Sequence, residues 1–362
     1  MFKYKQIFFL IAYPTKDAGS IKEYFINNSE EFISFHYFPG YSNDFTYIEK
    51  YQKGKKIWQK SFTFYKGKNR LIKNISDYIY FSYTLLFIAQ RRSYIITNAP
   101  IYCLLSSFFS LLKSFKFVLW IADYYPQKAF PMNIYHKIVE YYNRNLLYIL
   151  YLSPPLQKIY SKYRSKDKFK RMVPLGIKRE DYSKKRLPKV KLIIGFIGII
   201  REQQGLNLAL RFLQNEEDCT LEIVGDGYKL QYYKSLAKKL GVDKKVRFYG
   251  RVDDVSAVFS KWDIGIALYE EDEMNLSYYC EPTKIKHYLS YGIPVITTRT
   301  TYFSDELASS HAGEVIDENV EALKKSIKTI RSNYKKYLNG VESLVSKYEY
   351  ETWYDKNLKF LK

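Results

Sequence analysis

The chain has 362 residues, with 58 Lys/Arg against 37 Asp/Glu for a net charge of +21, and 18% of its residues are aromatic. That length suffices for two domains, each with its own core. Three cysteines without CxxC spacing (Cys103, Cys219, Cys280) and four scattered histidines argue against a disulfide framework, a zinc site or a His-rich metal site.

The charge is concentrated in the first half. Residues 1–180 hold 29 Lys/Arg against 11 Asp/Glu, and the remainder holds 29 against 26. Lys50 to Lys73 carries nine basic residues and no acid, interleaved with Tyr51, Trp58, Phe62, Phe64 and Tyr65. Cations mixed with aromatics suit an anionic membrane surface. They also suit nucleic acid, but no nucleic-acid-binding motif accompanies them.

The N-terminal apolar run, Ile7 to Ala12, is too short for a signal-peptide core and reads as a buried strand. No stretch reaches the roughly 18 apolar residues of a membrane span. Further strands are expected at Tyr94–Thr97, Phe117–Ala122 and Tyr148–Leu152. IYCLLSSFFSLLKS, apolar nearly all round, is expected as a crossover helix buried against the sheet, with a membrane-inserting helix as the alternative. Lys178 to Lys189 is charged and nearly free of apolar residues, as a linker would be.

The pattern then restarts with strand Leu192–Ile197, helix Leu206–Leu213, strand Thr220–Val224, helix Leu230–Leu240 and strand Val246–Tyr249. A short helix near Val255–Ser260, strand Ile264–Leu268, helix Pro282–Tyr291 and strand Pro294–Thr297 follow, with packing helices after Glu318. Alternation of this kind predicts a doubly wound α/β domain. The expected organisation is an N-terminal domain over 1–177, a linker over 178–190, a second domain over 191–340 and a C-terminal helix over 341–362 that packs back on the first domain.

Ligands of open parallel sheets bind beyond the carboxyl ends of the strands. The loops there carry Gly198, Gly225-Asp226-Gly227 and Gly250-Arg251-Val252. Glycines let backbone approach a ligand and supply N–H donors. No GxGxxG or Walker A pattern occurs, which counts against dinucleotide oxidoreductases and P-loop enzymes. In EPTKIKHYLSYGIPVI, Pro282 suits the first helical position and Gly292 the position past the end. The N–H groups of Thr283, Lys284 and Ile285 are expected to be free at the helix start. With the Thr283 hydroxyl and Lys284 ammonium, they form a site for an anion such as diphosphate.

Taken in order, GFIGIIREQQGL, LEIVGDG, KVRFYGRV, DIGIAL and EPTKIKHYLSYGIPVI resemble the nucleotide-sugar domain of GT-B glycosyltransferases of family 4. WIADYYP is similar to a motif of acceptor domains in that group, and MVPLGIKRED resembles the exit into the linker. The resemblance spans about residues 115–316. It implies an α/β GT-B fold: two doubly wound Rossmann-like domains facing across a cleft.

It also implies a nucleotide-diphosphate sugar as substrate, UDP-sugar favoured, with no cofactor and no metal. Gly198 would lie near the donor phosphates, with Gly225, Asp226 and Gly227 in the nucleotide pocket and Arg251 and Val252 at the base; Arg201, close to Gly198 in the chain, offers a substitute cation for the family's Arg and Lys. Pro282, Thr283 and Lys284 would receive the diphosphate, Lys284 with a catalytic role. His287 falls where relatives hold a ribose-binding glutamate. Ile199 and Gln204 stand where the family commonly has Arg and Lys. Asp123, after a strand end, would orient or deprotonate the acceptor, with a capping role as the alternative, and Tyr13, Gly19 and Ser20 would line the acceptor side.

The expected protein is a retaining glycosyltransferase acting on a glycan acceptor, lipid-linked, in cell-surface polysaccharide synthesis. It would be cytoplasmic and peripheral at the inner face of the membrane, with an anionic membrane surface as partner and no nucleic acid. A sugar-nucleotide epimerase and a noncatalytic scaffold are the alternatives.

Overall fold

A computed structural model describes residues 4–12, 20–37, 46–61, 69–98, 100–122, 124, 130–145, 148–161, 169–180, 191–272, 275–281 and 283–361. They divide into two units: Met1–Gly176 with Tyr350–Lys362, and Ile177–Glu349.

The first unit runs β1 (Tyr4–Ala12), α1 (Ile21–Asn28), β2 (Ser29–Tyr37), β3 (Tyr47–Gln52), β4 (Lys55–Ser61) and α2 (Arg70–Phe87). It continues with β5 (Tyr94–Thr97), α3 (Pro100–Lys113), β6 (Lys116–Ile121), α4 (Phe130–Asn145), β7 (Tyr148–Tyr151), α5 (Pro154–Ser161) and β8 (Phe169–Met172). The strand order is β4-β3-β2-β1-β5-β6-β7-β8. All neighbours are parallel except the β2–β3 and β3–β4 pairs.

The β3–β4 hairpin falls inside the basic, aromatic stretch. Its two turn residues, Lys53 and Gly54, have φ of 49° and 80°, the sign a two-residue hairpin turn requires. Asn69 caps α2, its Oδ1 accepting from the Leu71 amide at 3.0 Å and the Ile72 amide at 3.4 Å. One face of α2 supplies Tyr80, Phe81 and Leu85 to a core shared with Ile33, Phe35, Ile48, Ile95 and Tyr102.

The second unit runs β9 (Leu192–Ile197), α6 (Leu206–Phe212), β10 (Cys219–Val224), α7 (Leu230–Lys239), β11 (Val246–Gly250), α8 (Ser256–Phe259) and β12 (Ile264–Ala267). It continues with α9 (Thr283–Ser290), β13 (Val295–Thr298), α10 (Ser304–Ser309), β14 (Gly313–Ile316), α11 (Val320–Ser332) and α12 (Tyr334–Lys347). The six-stranded sheet has the order β11-β10-β9-β12-β13-β14, parallel throughout. This is the doubly wound order with its switch point between β9 and β12. Helix α13 (Tyr350–Asn357) belongs to the first unit, where Tyr354 is fully buried and its hydroxyl accepts from the Gly176 amide at 2.9 Å.

Candidate active site

Strands β9 and β12 are in register only at Ile264↔Ile194 and Gly265↔Gly195, so they part towards their carboxyl ends. The buried hydroxyl of Tyr288, on α9, fills that gap. It accepts from the Ile197 amide at 2.9 Å and donates to the Ile266 carbonyl at 3.0 Å. One side chain thereby fixes α9 to both strands at the switch point, where ligands of this architecture bind.

The same anchor sets Lys284 over the first glycine loop. Its Nζ lies 4.1 Å from the Phe196 ring centroid and 5.0 Å from that of Tyr269, residues at the ends of β9 and β12. It donates to Gln204 Oε1 at 2.7 Å. A Cβ on Gly198 would stand 3.4 Å from this nitrogen. Among the described residues no carboxylate pairs with the ammonium. Burial, and then the charge of Arg201, push its pKa down to about 7. An amide and two ring faces hold the cation in place without neutralising it.

The glycine loops interlock through backbone. The Gly198 amide donates to Val224 O at 3.1 Å, Ile200 N–H to Asp226 O at 2.9 Å, and Gly225 N–H to Gly250 O at 2.8 Å. Gly225 has φ +136°, and a Cβ there would stand 1.9 Å from Gly198 O. Only glycine fits. Asp226 turns its carboxylate to the Gly227 amide at 2.7 Å. Side chains join the same two loops: Glu202 bonds Tyr228 and Lys229, the latter at 2.8 Å. Gly225→Ala is expected to cost about 1–3 kcal/mol through backbone strain alone. A lower denaturation midpoint at an unchanged m-value checks this; a midpoint equal to wild type contradicts it.

The structure thus brings Gly198, Arg201, Gly225, Asp226, Gly227 and Lys284 to one end of the sheet, with exposed Arg251 and half-buried Val252 just after the bonded Gly250. One expectation changes. The Thr283 amide is not free: it donates to Glu281 O at 2.8 Å, and the Thr283 hydroxyl turns to the same carbonyl at 3.3 Å. The amides of Lys284 and Ile285 have no backbone acceptor among the described residues.

His287 makes ring contacts with Phe259 at 4.8 Å and Tyr291 at 5.7 Å. Ile199 is 67% exposed. Ser20 is half-buried with φ 57° at the start of α1. Asp123, Pro282, Tyr13 and Gly19 lie outside the described residues.

Sequence reasoning missed Gln204 as a partner of Lys284 and the Phe196–Tyr269 ring pair beneath it. It also passed over Glu281 and Lys286, a buried ion pair beside the helix start, in which Glu281 accepts from Tyr302 Oη at 2.5 Å.

Residues 177–342 match the family described as glycosyl transferases group 1. No curated protein matches the chain at a significant level. Among solved structures, the chain is similar to Anabaena Alr3699/HepE in complex with UDP and glucose (13% identity, 98% of each chain covered, TM-score 0.68). It is also similar to sucrose-phosphate synthase from Thermosynechococcus elongatus (12%, 98% of each chain, TM-score 0.70). A third likeness is to WaaG, a glycosyltransferase involved in lipopolysaccharide biosynthesis (15%, 78% of this chain and 94% of that one, TM-score 0.54). Residues 177–342 are a glycosyl transferases group 1 domain, the chain has the GT-B fold, and the enzyme is a glycosyltransferase.

Proposed function

We propose that the protein moves a sugar from a nucleotide-diphosphate donor, UDP-sugar favoured, to a lipid-linked glycan acceptor in cell-surface glycan synthesis. The observation that carries the donor assignment is Lys284, whose Nζ stands above Gly198 at the β9/β12 switch point with no carboxylate partner among the described residues. The UDP seen with HepE supports the nucleotide, and WaaG's part in lipopolysaccharide biosynthesis supports the acceptor class.

In glycosyl transfer, negative charge grows on the leaving diphosphate while the sugar becomes oxocarbenium-like. A cation and N–H groups fixed beforehand at the leaving oxygen stabilise that transition state more than the ground state. The Lys284 ammonium, with the amides of Lys284 and Ile285, takes this role in a retaining, metal-independent reaction without a cofactor. Asp123 is the group proposed to orient or deprotonate the acceptor hydroxyl, and Asp123→Ala should lower transfer at least tenfold, about 1.4 kcal/mol or more. A thermal-shift screen with UDP-, GDP- and CMP-sugars tests the donor: UDP-sugars should give the largest rise. A noncatalytic scaffold would show no rise with any of them, and an epimerase would release UDP or epimer without acceptor.

The working place proposed is the cytoplasmic face of the membrane, on the strength of the +18 balance of residues 1–180 (29 against 11).

A further inference from the structure

Helix α2 is apolar on two faces. One packs into the core through Tyr80, Phe81 and Leu85. The other carries Leu71, Ile75, Ile79 and Phe87, spaced by four or eight residues and 69%, 49%, 58% and 71% exposed. Its one acid, Asp77, is buried and accepts from Thr46 Oγ1 at 2.6 Å. Helix α3 lies alongside, joined by ring contacts of Tyr102 with Tyr78 at 5.2 Å and Phe81 at 4.9 Å. Its outer face presents Leu104, Phe108, Leu111 and Leu112, with Leu111 85% exposed. Isolated surface leucines need no explanation, but two adjacent helices with uncharged apolar outer faces mark an interaction surface. Among the described residues no helix is long and apolar enough to cross a membrane.

Cations rim this surface. The carboxyl ends of α2 and α3 are tied together, Arg92 N–H donating to Lys113 O at 2.9 Å and Lys113 Nζ to Ala89 O at 2.6 Å. Exposed Arg91, Arg92 and Lys116 stand at that end. Along the flank runs edge strand β4, joined to α2 by the Tyr80 hydroxyl donating to Lys60 O at 3.3 Å, with Lys55 and Lys60 exposed.

We propose that the outer faces of α2 and α3 lie in the headgroup–acyl boundary of an anionic bilayer, their apolar side chains inserted and the rim cations on the lipid phosphates. An apolar face bordered by Lys and Arg is what in-plane binding requires, and the anionic leaflet supplies the opposite charge. A second copy of the chain is the poorer occupant, because a two-fold pairing of this face sets its cationic rims against each other. The inference deepens the membrane reading given above and identifies the surface that carries it.

Flotation with vesicles of phosphatidylcholine alone and with 30% phosphatidylglycerol tests it, using wild type, Ile75→Asp/Ile79→Asp/Phe108→Asp and Lys55→Glu/Lys60→Glu. Wild type should float with the anionic vesicles. The triple variant should lose at least tenfold of the bound fraction while keeping the wild-type thermal shift with UDP. The double variant should lose the preference for anionic lipid. Leu111→Trp should show added quenching by brominated phosphatidylglycerol. Wild-type flotation by the triple variant, no added quenching at Leu111→Trp, or a wild-type dimer that floats with neither vesicle would overturn the proposal. Absence of a UDP shift in wild type that still floats would instead overturn the donor reading alone.

Discussion

Lys284→Ala will lower kcat/KM for the nucleotide-sugar donor at least tenfold, a loss of about 1.4 kcal/mol or more of transition-state stabilisation. Among the described residues the ammonium has one amide acceptor, two ring faces and no carboxylate partner, so its charge is open to a phosphate. A hydrogen bond to a charged group contributes roughly 1.5–3 kcal/mol. Lys284→Met keeps the stem over Phe196 and Tyr269 and removes the charge, so the same loss in both variants assigns the effect to charge rather than packing. Wild-type turnover in Lys284→Met would remove the residue from the site.

The same lysine gives the donor step a pH dependence of definite sign. Burial, then Arg201, hold its pKa near 7 in the free protein. A bound diphosphate favours the ammonium and raises that value. At pH 8, UDP binding should therefore take up a proton, and affinity should fall as pH rises above 7. Titration calorimetry in buffers of different ionisation enthalpy checks this: heats independent of the buffer contradict it.

The second large effect concerns stability. Glu281 and Lys286 form an ion pair with both side chains almost wholly buried, and the Lys286 ammonium faces the rings of Phe303 at 5.3 Å and Tyr348 at 4.6 Å. Burial pushes the carboxyl up and the ammonium down, each partner opposing the shift of the other. Removing one member of such a pair strands the other and costs about 3–5 kcal/mol. Glu281→Ala should accordingly lower Tm by on the order of 10 °C.

The sign with pH follows from Lys286. An unpaired buried lysine has a folded pKa below its unfolded value, so the unfolded chain binds more protons and stability rises with pH. The deficit of Glu281→Ala should be largest near neutrality and shrink towards pH 10. Glu281→Gln, which retains a partner for Tyr302 Oη, should lose less. Equal stability of wild type and Glu281→Ala at pH 7 would show that the pair does not hold the segment before α9.

Where burial sets periodicity, the sequence is easy to read. Leu192–Ile197 is a strand at its expected limits, and the strands ending at Val224, Gly250 and Ala267 lie within a residue of theirs. The central strands β9 and β12 are largely buried, so they appear as continuous apolar runs. The β3–β4 hairpin was hidden because charge interrupts its alternation: Glu49 points inward, 5% exposed, where it meets Lys22, His36 and Lys56. Only Lys53-Gly54 marked the turn.

At the site, the glycines and the start of α9 next to Thr283 were legible because each has a local backbone reason. Gln204 was not. Its value comes from meeting Lys284, 80 residues away, and a glutamine in a loop carries no local signature of such a partner. Tyr288 was equally hidden. Its hydroxyl has work only because β9 and β12 part at the switch point, a fact of topology rather than of local sequence. His287 reads as a substituted ribose ligand by alignment of motifs, and its contacts are with the rings of Phe259 and Tyr291.

Titration calorimetry of UDP into wild type and Lys284→Met at pH 7 tests the central claim most directly. A single site per chain in wild type, weakened at least tenfold in the variant, is the expected result; no UDP binding in wild type, or equal affinity in both, would contradict it.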